Sequence, residues 1–272
     1  MKKLLAICTT LAMLLSLSFS VLATTIRINI GPGAVPDETQ PRVNAGDAPT
    51  GWGPDSWQGP VAGAGNKTNW HARYLADGDA LSTLFPTEAA GLKVKDLAGI
   101  SYYTKRSPGI PANQDWWVSI YTRTTGSGDA KSWNHDSYIS NYNQHGTGTG
   151  AWQQWSTGLG SSFGGITFSS HSGSGGLNDA FDHLTLAQLA SATDAGSASV
   201  GDALVEMISV QTNSGWNGFD GYMDGLKITL KSGNVGQVNF IGVPEPATLA
   251  LLLLGLAGIG FASWRKPPPR VA

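Results

Sequence analysis

The chain has 272 residues, of which 41% are hydrophobic and 13% charged, with 36 glycines, 10 tryptophans and a single cysteine. Residues 24–243 hold 12 basic and 18 acidic side chains, a formal charge of −6, and the cysteine, Cys8, lies outside them. This composition excludes a disulfide scaffold and a cysteine metal site, disfavours a nucleic-acid-binding protein, which needs a basic surface, and lacks the Ala, Glu, Lys and Leu content of a coiled coil.

The first 23 residues predict a secretory signal peptide. A positive start, Met1-Lys2-Lys3, precedes a long apolar stretch, and Val21-Leu22-Ala23 supplies the residues that a signal peptidase reads. We expect the Sec machinery to export the chain and signal peptidase to cleave it after Ala23. An uncleaved membrane anchor is the alternative.

Residues 24–241 are predicted to form an all-β ectodomain, because apolar residues recur with period two between turn-forming Gly, Ser, Asn and Asp clusters. The predicted faces are Ile26, Ile28 and Ile30; Ile100, Tyr102 and Thr104; Trp116, Val118 and Ile120; Ile166 and Phe168; Leu204, Glu206, Ile208 and Val210; Tyr222, Asp224, Leu226, Ile228 and Leu230; Val238 and Phe240. A short helix is predicted from the run of Leu184, Leu186 to Leu189 and Ala190, which ends by Ser191, with Asp182 as a candidate N-cap. Short strands in this number favour a two-sheet antiparallel β-sandwich of jelly-roll type.

Catalytic signals are weak in this region. A glycosidase needs paired carboxylates, but the three glutamates, Glu38, Glu88 and Glu206, lie far apart in the sequence. The histidines lack metal-ligand spacing. We therefore predict a non-enzymatic protein without a cofactor, except for a structural calcium ion that Asp220 and Asp224 could bind.

The tryptophans supply the sharpest ligand signal, because sugar rings stack on aromatic faces while amides and carboxylates bind the hydroxyl groups. Period two places Trp117 and Tyr121 on the face opposite Val118 and Ile120. The predicted carbohydrate-binding residues are Trp117, Tyr121, Trp133, Tyr138, Trp155 and Trp216. The alternative for each ring is a place in the core.

The C-terminal region, residues 242–272, has three parts. Val243-Pro244-Glu245-Pro246 precedes an uncharged apolar stretch, residues 247–264, which is long enough for a membrane-spanning helix. Residues 265–272 follow with a basic cluster, Arg265, Lys266 and Arg270, which favours a cytoplasmic tail. The prolines keep the approach to the membrane extended and accessible to a protease. A plain single-pass anchor is the alternative.

These three parts resemble the PEP-CTERM sorting signal. The resemblance implies processing by an exosortase in a Gram-negative bacterium that makes extracellular polysaccharide, with a transient stay in the inner membrane before the cell surface or matrix. Residues 115–122, 132–133, 151–156 and 215–226 are similar to segments of concanavalin A-like lectin and glucanase domains and of galactose-binding-like domains. Three functions are open: an exopolysaccharide-binding surface protein, a structural matrix protein without a ligand site, and, with less support, a secreted enzyme acting on polysaccharide.

Overall fold

The structure, a computed structural model, describes residues 23–30, 42–44, 48–50, 56–58, 69–73, 80–111, 114–123, 137–140, 150–160, 162–171, 183–193, 199–212 and 219–240. The predicted signal peptide before Ala23 and the whole predicted sorting segment lie outside these residues. So do Trp133 and Trp216.

The described residues form twelve strands and two short helices. The strands are β1 (Thr25–Ile30), β2 (Arg42–Asn44), β3 (Ser56–Gln58), β4 (Asn69–Arg73), β5 (Leu97–Arg106), β6 (Trp117–Arg123), β7 (Ser137–Ser140), β8 (Gln153–Ser156), β9 (Phe168–His171), β10 (Leu204–Gln211), β11 (Gly221–Leu230) and β12 (Val235–Phe240). The helices are α1 (Ala80–Leu84) and α2 (Leu186–Leu189), and 3₁₀ turns cover Ala89–Gly91, Val94–Asp96, Thr157–Leu159 and Val200–Asp202.

The larger sheet has seven strands and is built around β11. Strand β5 pairs with one side of β11 and carries β8 beyond it, while β12 and then β1 lie on the other side. Strand β3 pairs with the start of β11 and carries β2. The pairs are antiparallel except β1–β12, which is parallel. A parallel pair is allowed here because the two strands come from opposite ends of the chain and no hairpin joins them.

The smaller sheet has five antiparallel strands in the order β4-β10-β6-β7-β9. Both sheets contribute to one hydrophobic core, with Ile100 and Ile228 from the larger sheet and Ile120 and Ile208 from the smaller one, each at most 1% exposed. The prediction of a mostly antiparallel, two-sheet β protein is confirmed.

The predicted short helix is also confirmed, over Leu186–Leu189. Its cap is Thr185, whose hydroxyl accepts a hydrogen bond from the Gln188 amide while the Gln188 side chain accepts from the Thr185 amide. This reciprocal pair satisfies two amides at the start of the helix. Asp182, the predicted cap, lies outside the described residues.

The predicted faces of β10 and β11 are confirmed beyond a β-bulge in each strand, where Ile208 and Val210 and likewise Leu226, Ile228 and Leu230 reach the core, and are wrong before it. In β10 the register shifts between Val205 and Met207, so that Val205 and Ile208 both reach the core. Leu204, predicted on the same face as Ile208, therefore pairs opposite Arg123 and lies on the other face. An extra residue on one strand reverses the parity of everything beyond it.

In β11 the register against β5 shifts between Asp224 and Lys227. Met223 therefore joins Leu226 in the core, and Tyr222 lies on the other face of the sheet. Gly225 lies inside the bulge with a φ of 67°, a conformation that favours glycine. This second reversal of parity decides which side chains reach the surface beside β5.

Candidate functional site

The larger sheet has one face in the core and one toward solvent. In β5, Ile100, Tyr102 and Thr104 are buried, whereas Ser101, Tyr103 and Lys105 alternate with them and are half-exposed. We call the second side the outer face. Its described side chains include Arg27, Gln237, Lys227, Thr229, Tyr222, Ser101, Tyr103, Lys105 and Gln154.

Two aromatic rings and one lysine meet on the outer face and form what we call the aromatic–lysine cluster: Trp152, Tyr222 and Lys105. The ring centroids of Trp152 and Tyr222 are 6.4 Å apart at an angle of 64°, an edge-to-face arrangement. The ammonium of Lys105 lies 4.5 Å from the Tyr222 centroid and 5.3 Å from the Trp152 centroid, within cation–π range of both. All three side chains are half-exposed.

The strand register brings the cluster together. Lys105 lies opposite Tyr222 across the β5–β11 pair. Trp152 comes directly before β8, whose first residue, Gln153, pairs with Thr104 beside Lys105. The bulge at Gly225 is what gives Tyr222 the parity of the outer face. The three side chains therefore come from three neighbouring segments of one sheet.

None of Trp152, Tyr222 and Lys105 was predicted from the sequence as a site residue. Trp152 and Tyr222 occur in the segments that carried the resemblance, but nothing in their neighbours distinguished them from the other aromatic residues. An Asp-Gly pair inside a predicted strand is a known bulge signal. Applied to Asp224-Gly225, it would have placed Tyr222 on the outer face.

Two of the predicted carbohydrate-binding tryptophans lie in the core. Trp117 is 5% exposed and Trp155 is 2% exposed. The indole N–H of Trp155 donates to the Thr104 hydroxyl at 2.7 Å, and that of Trp117 donates to the Ser119 hydroxyl at 3.2 Å. Their buried faces cannot form an exposed stacking platform, because β8 turns Trp155 toward the same side as Tyr102 and Thr104.

The remaining described candidates belong to the smaller sheet. Trp117, Ser119 and Tyr121 share the face of β6 opposite Val118 and Ile120, as the sequence predicted. On this face Trp117 and Ser119 are buried, whereas Tyr121 is half-exposed, as Trp152 and Tyr222 are. The register places Tyr138 opposite Ile120, in a different cross-strand row from Tyr121. Among the described candidates, the structure thus does not bring Trp117, Trp155 and Tyr121 into one exposed patch.

A buried polar network lies beneath the outer face, on the core side of β5. Asp115 is 2% exposed and accepts hydrogen bonds from the Thr104 hydroxyl at 2.9 Å and from the Trp116 amide at 2.8 Å. The Arg106 guanidinium approaches it, with Nε 4.0 Å from Oδ2, and donates instead to the Pro111 carbonyl at 2.8 Å. The network anchors the entry into β6 to β5.

Burial raises the pKa of the Asp115 carboxyl to about 7, although the hydrogen bonds from Thr104 and the Trp116 amide and the charge of Arg106 act in the opposite direction. The group is closed to solvent and holds the entry into β6 against β5. The consequence of the raised pKa is a dependence of stability on pH.

The predicted calcium ligands lie at the start of β11. Asp224 is fully buried and its Oδ1 accepts a hydrogen bond from the Phe240 amide at 3.2 Å, whereas Asp220 is half-buried. Within the described ranges, no group of three His, Cys, Asp or Glu side chains is arranged to hold a metal ion. A calcium ion at Asp220 and Asp224 stays a prediction.

The fold and the outer face define a mostly β protein of two sheets with an aromatic–lysine cluster on its surface. The chain also matches the model of the PEP-CTERM protein-sorting motif, over residues 242–266. This match confirms the predicted sorting motif, including Val243, Pro244, Glu245 and Pro246, and it indicates an exported protein that is processed by an exosortase and sorted to the cell surface.

The other comparisons add no relative. No curated protein and no solved structure matches the chain. In the part of the chain that the structure describes, no helix is long and apolar enough to cross a membrane, and residues 247–264 lie outside that part.

Proposed function

We propose that this exported protein is a non-enzymatic component of the cell surface or extracellular matrix and that its ectodomain, a lectin-like or jelly-roll sandwich, binds exopolysaccharide through the outer face. After release from the inner membrane of a Gram-negative cell, it would hold polysaccharide near the surface. The sorting motif supports the destination, and the aromatic–lysine cluster supports the ligand.

The assignment of a saccharide ligand depends on the pair of half-exposed rings, Trp152 and Tyr222. A pyranose ring has an apolar face that stacks on an aromatic ring, while its hydroxyl groups need hydrogen-bond partners. The exposed amide of Gln154 and the half-exposed side chain of Tyr103 lie opposite each other on the same face and supply such partners. This combination of stacking rings and hydrogen-bonding groups suits a saccharide.

A second function, a structural matrix protein without a ligand site, is favoured by the burial of Trp117 and Trp155. Their indoles stabilise the core and leave fewer rings for a ligand. The two functions differ in one measurable property, which is whether removal of an outer-face ring changes polysaccharide binding.

The test uses the variant Trp152→Ala, which removes this ring from the full chain. Wild type and variant are both purified in detergent. We expect the affinity for exopolysaccharide extracted from the producing bacterium, measured by biolayer interferometry, to fall about ten-fold, the equivalent of ~1.4 kcal/mol of lost stacking. A far-ultraviolet circular dichroism melt checks that the fold is intact.

Phe163→Ala is the matched control, because Phe163 is 61% exposed and belongs to the turn after β8 and not to the outer face. Tyr121→Ala reports on the smaller sheet. Unchanged binding in both variants with a loss in Trp152→Ala supports the proposal. No binding by the folded wild-type chain, or equal binding by the wild type and Trp152→Ala, favours the structural function.

A further inference from the structure

We infer that the outer face is specific for polysaccharides with anionic sugar residues, such as uronic acids. This inference rests on the proposed function and narrows it from polysaccharide in general to one chemical class. It is carried by the distribution of charge over the outer face and by the position of Lys105 between two aromatic rings.

The outer face is basic although the ectodomain as a whole is acidic. In the described strands β1, β5, β8, β11 and β12, the charged side chains that reach solvent on this face are Arg27, Lys105 and Lys227, all of them basic. Residues 24–243 carry a formal charge of −6. A cationic face on an anionic domain concentrates negatively charged partners there and repels them elsewhere.

The three cations follow a continuous path across the sheet. Arg27, Gln237 and Lys227 lie in one cross-strand row, and Arg27 Nε donates to Gln237 Oε1 at 3.0 Å. This row crosses β5 at Ser101, and Lys105 lies four residues further along that strand, about 13 Å away. The spacing suits an extended chain ligand with charges at intervals.

Carboxylates do not neutralise these lysines among the described residues. The described ion pairs involve Lys93, Lys95 and Arg106, and neither Lys105 nor Lys227. Asp224, although in the outer-face row of Tyr103, is fully buried. Asp220, directly before β11, is half-buried.

Lys105 places a charge where a stacked sugar would present its carboxylate. Its ammonium lies 4.5 Å and 5.3 Å from the centroids of Tyr222 and Trp152. A pyranose stacked on Trp152 would bring an equatorial carboxylate to the edge of the ring, within reach of this ammonium. A charge-assisted hydrogen bond is stronger than the neutral one that a hydroxyl would accept.

Single-stranded nucleic acid also combines rings with negative charge, but it fits the chain less well. Nucleic-acid-binding domains carry a high density of Lys and Arg, and their affinity comes mainly from many phosphate contacts. The three outer-face cations of the described strands, on a domain of charge −6, are few for that purpose. The test therefore includes single-stranded DNA as a competitor.

The experiment measures binding of the full chain to alginate, a polyuronate, and to dextran, a neutral glucan, of matched length. We expect alginate to bind at least about five-fold more tightly, and the difference to shrink as NaCl rises from low to high concentration. In Lys105→Gln the affinity for alginate should fall about three- to ten-fold while that for dextran is unchanged.

Lys231→Gln is the matched control, because it removes the same charge from the exposed turn between β11 and β12. It should leave alginate binding unchanged, whereas Lys227→Gln should weaken it.

Equal affinities for alginate and dextran that both depend on Trp152 would overturn the inference and leave the proposed function standing. Absence of binding to either glycan and to the extracted exopolysaccharide would overturn both, and stronger binding of single-stranded DNA than of alginate would overturn the glycan assignment.

Discussion

At the residue scale, the hydrogen bond of each indole N–H identifies the tryptophans that belong to the core. Trp116 donates to the Gly221 carbonyl at 3.0 Å, Trp155 to Thr104 and Trp117 to Ser119. A buried indole needs such a partner inside the protein. Trp152 instead meets Lys105 and Tyr222 at the surface. Sequence neighbours could predict that some rings are exposed but could not predict which, since the choice depends on partners distant in the chain.

Asp115 leads to a prediction about pH. Its pKa in the folded chain is raised from 3.8 to about 7, so between these values the folded chain holds a proton that the unfolded chain has lost. The contribution of this group to stability is therefore present at low pH and is lost as the pH rises toward 7. In Asp115→Asn the residue is neutral at every pH. We expect the decrease in the free energy of unfolding between pH 5 and pH 8, measured by urea titration, to be smaller in the variant than in the wild type.

The window between pH 5 and pH 8 avoids the exposed carboxylates that act in the opposite direction. Hydrogen bonds from Lys95 and Lys93 lower the pKa of Asp202 to about 2, so its contribution is lost only in strong acid. Asp202→Asn is the matched control and should keep the wild-type slope in this window. Identical slopes in Asp115→Asn and the wild type would show that the carboxyl is ionised throughout.

At the element scale, period two predicted the strands β1, β5, β6, β10, β11 and β12 but not short strands such as β3, β4 and β8. Two β-bulges determine which side chains β10 and β11 expose. The predicted residues of β1, β5 and β12 alternate as expected. In β10 and β11 the register shift beyond Val205 and Asp224 reverses the faces. A strict alternation of faces does not allow for the extra residue of a bulge. The aromatic–lysine cluster therefore could not be predicted without the register of β11 against β5.

Gly225 tests the importance of the second bulge. It has a φ of 67°, and a Cβ atom added there would lie 2.7 Å from Thr50 Cγ2 and 3.1 Å from Tyr103 Cδ2. Gly225→Ala should therefore destabilise the protein by about 2–4 kcal/mol through backbone strain and overpacking. The measurement is the urea midpoint and slope.

Gly91→Ala is the control, since nothing lies within 4 Å of the added Cβ and no positive φ is involved. It should change the free energy of unfolding by less than about 0.5 kcal/mol. The double variant Gly225→Ala, Thr50→Ser removes the Thr50 methyl and should recover part of the loss. Equal stability of Gly225→Ala and Gly91→Ala would mean that the bulge can be replaced without strain.

At the scale of the whole molecule, the two ends of the folded part meet in one sheet. The Thr24 amide, next to the predicted cleavage site after Ala23, donates to Asn234 Oδ1 at 2.8 Å, and the Val235 amide donates to the Thr24 carbonyl at 2.8 Å. The Asn234 side chain also donates to the Glu88 carboxylate. Strand β1 then follows β12 in parallel register to Phe240. The predicted sorting motif and β content are confirmed, and the signal peptide stays a prediction. The pairing of β1 with β12 could not be predicted, since strands so far apart in the sequence leave no local signal.

The sorting segment begins at residue 242, two positions beyond the end of β12. Replacing Pro244, Glu245 and Pro246 together by alanine should abolish exosortase processing without affecting the sheet. Mass spectrometry should then find the variant in the membrane fraction with residues 242–272 still attached, whereas the wild type is shortened. Its thermal unfolding should match that of the wild type, because β12 keeps its neighbours β1 and β11.

Pro267→Ala, Pro268→Ala in the C-terminal tail serves as the matched control and should be processed like the wild type. The control separates loss of the motif from a general effect of removing prolines near the membrane, since both variants keep residues 247–264 and the basic residues Arg265 and Lys266. If the triple-alanine variant is shortened like the wild type, recognition through Pro-Glu-Pro is contradicted. If its melting temperature is lowered, residues beyond Phe240 contribute to the stability of the fold as well as to sorting.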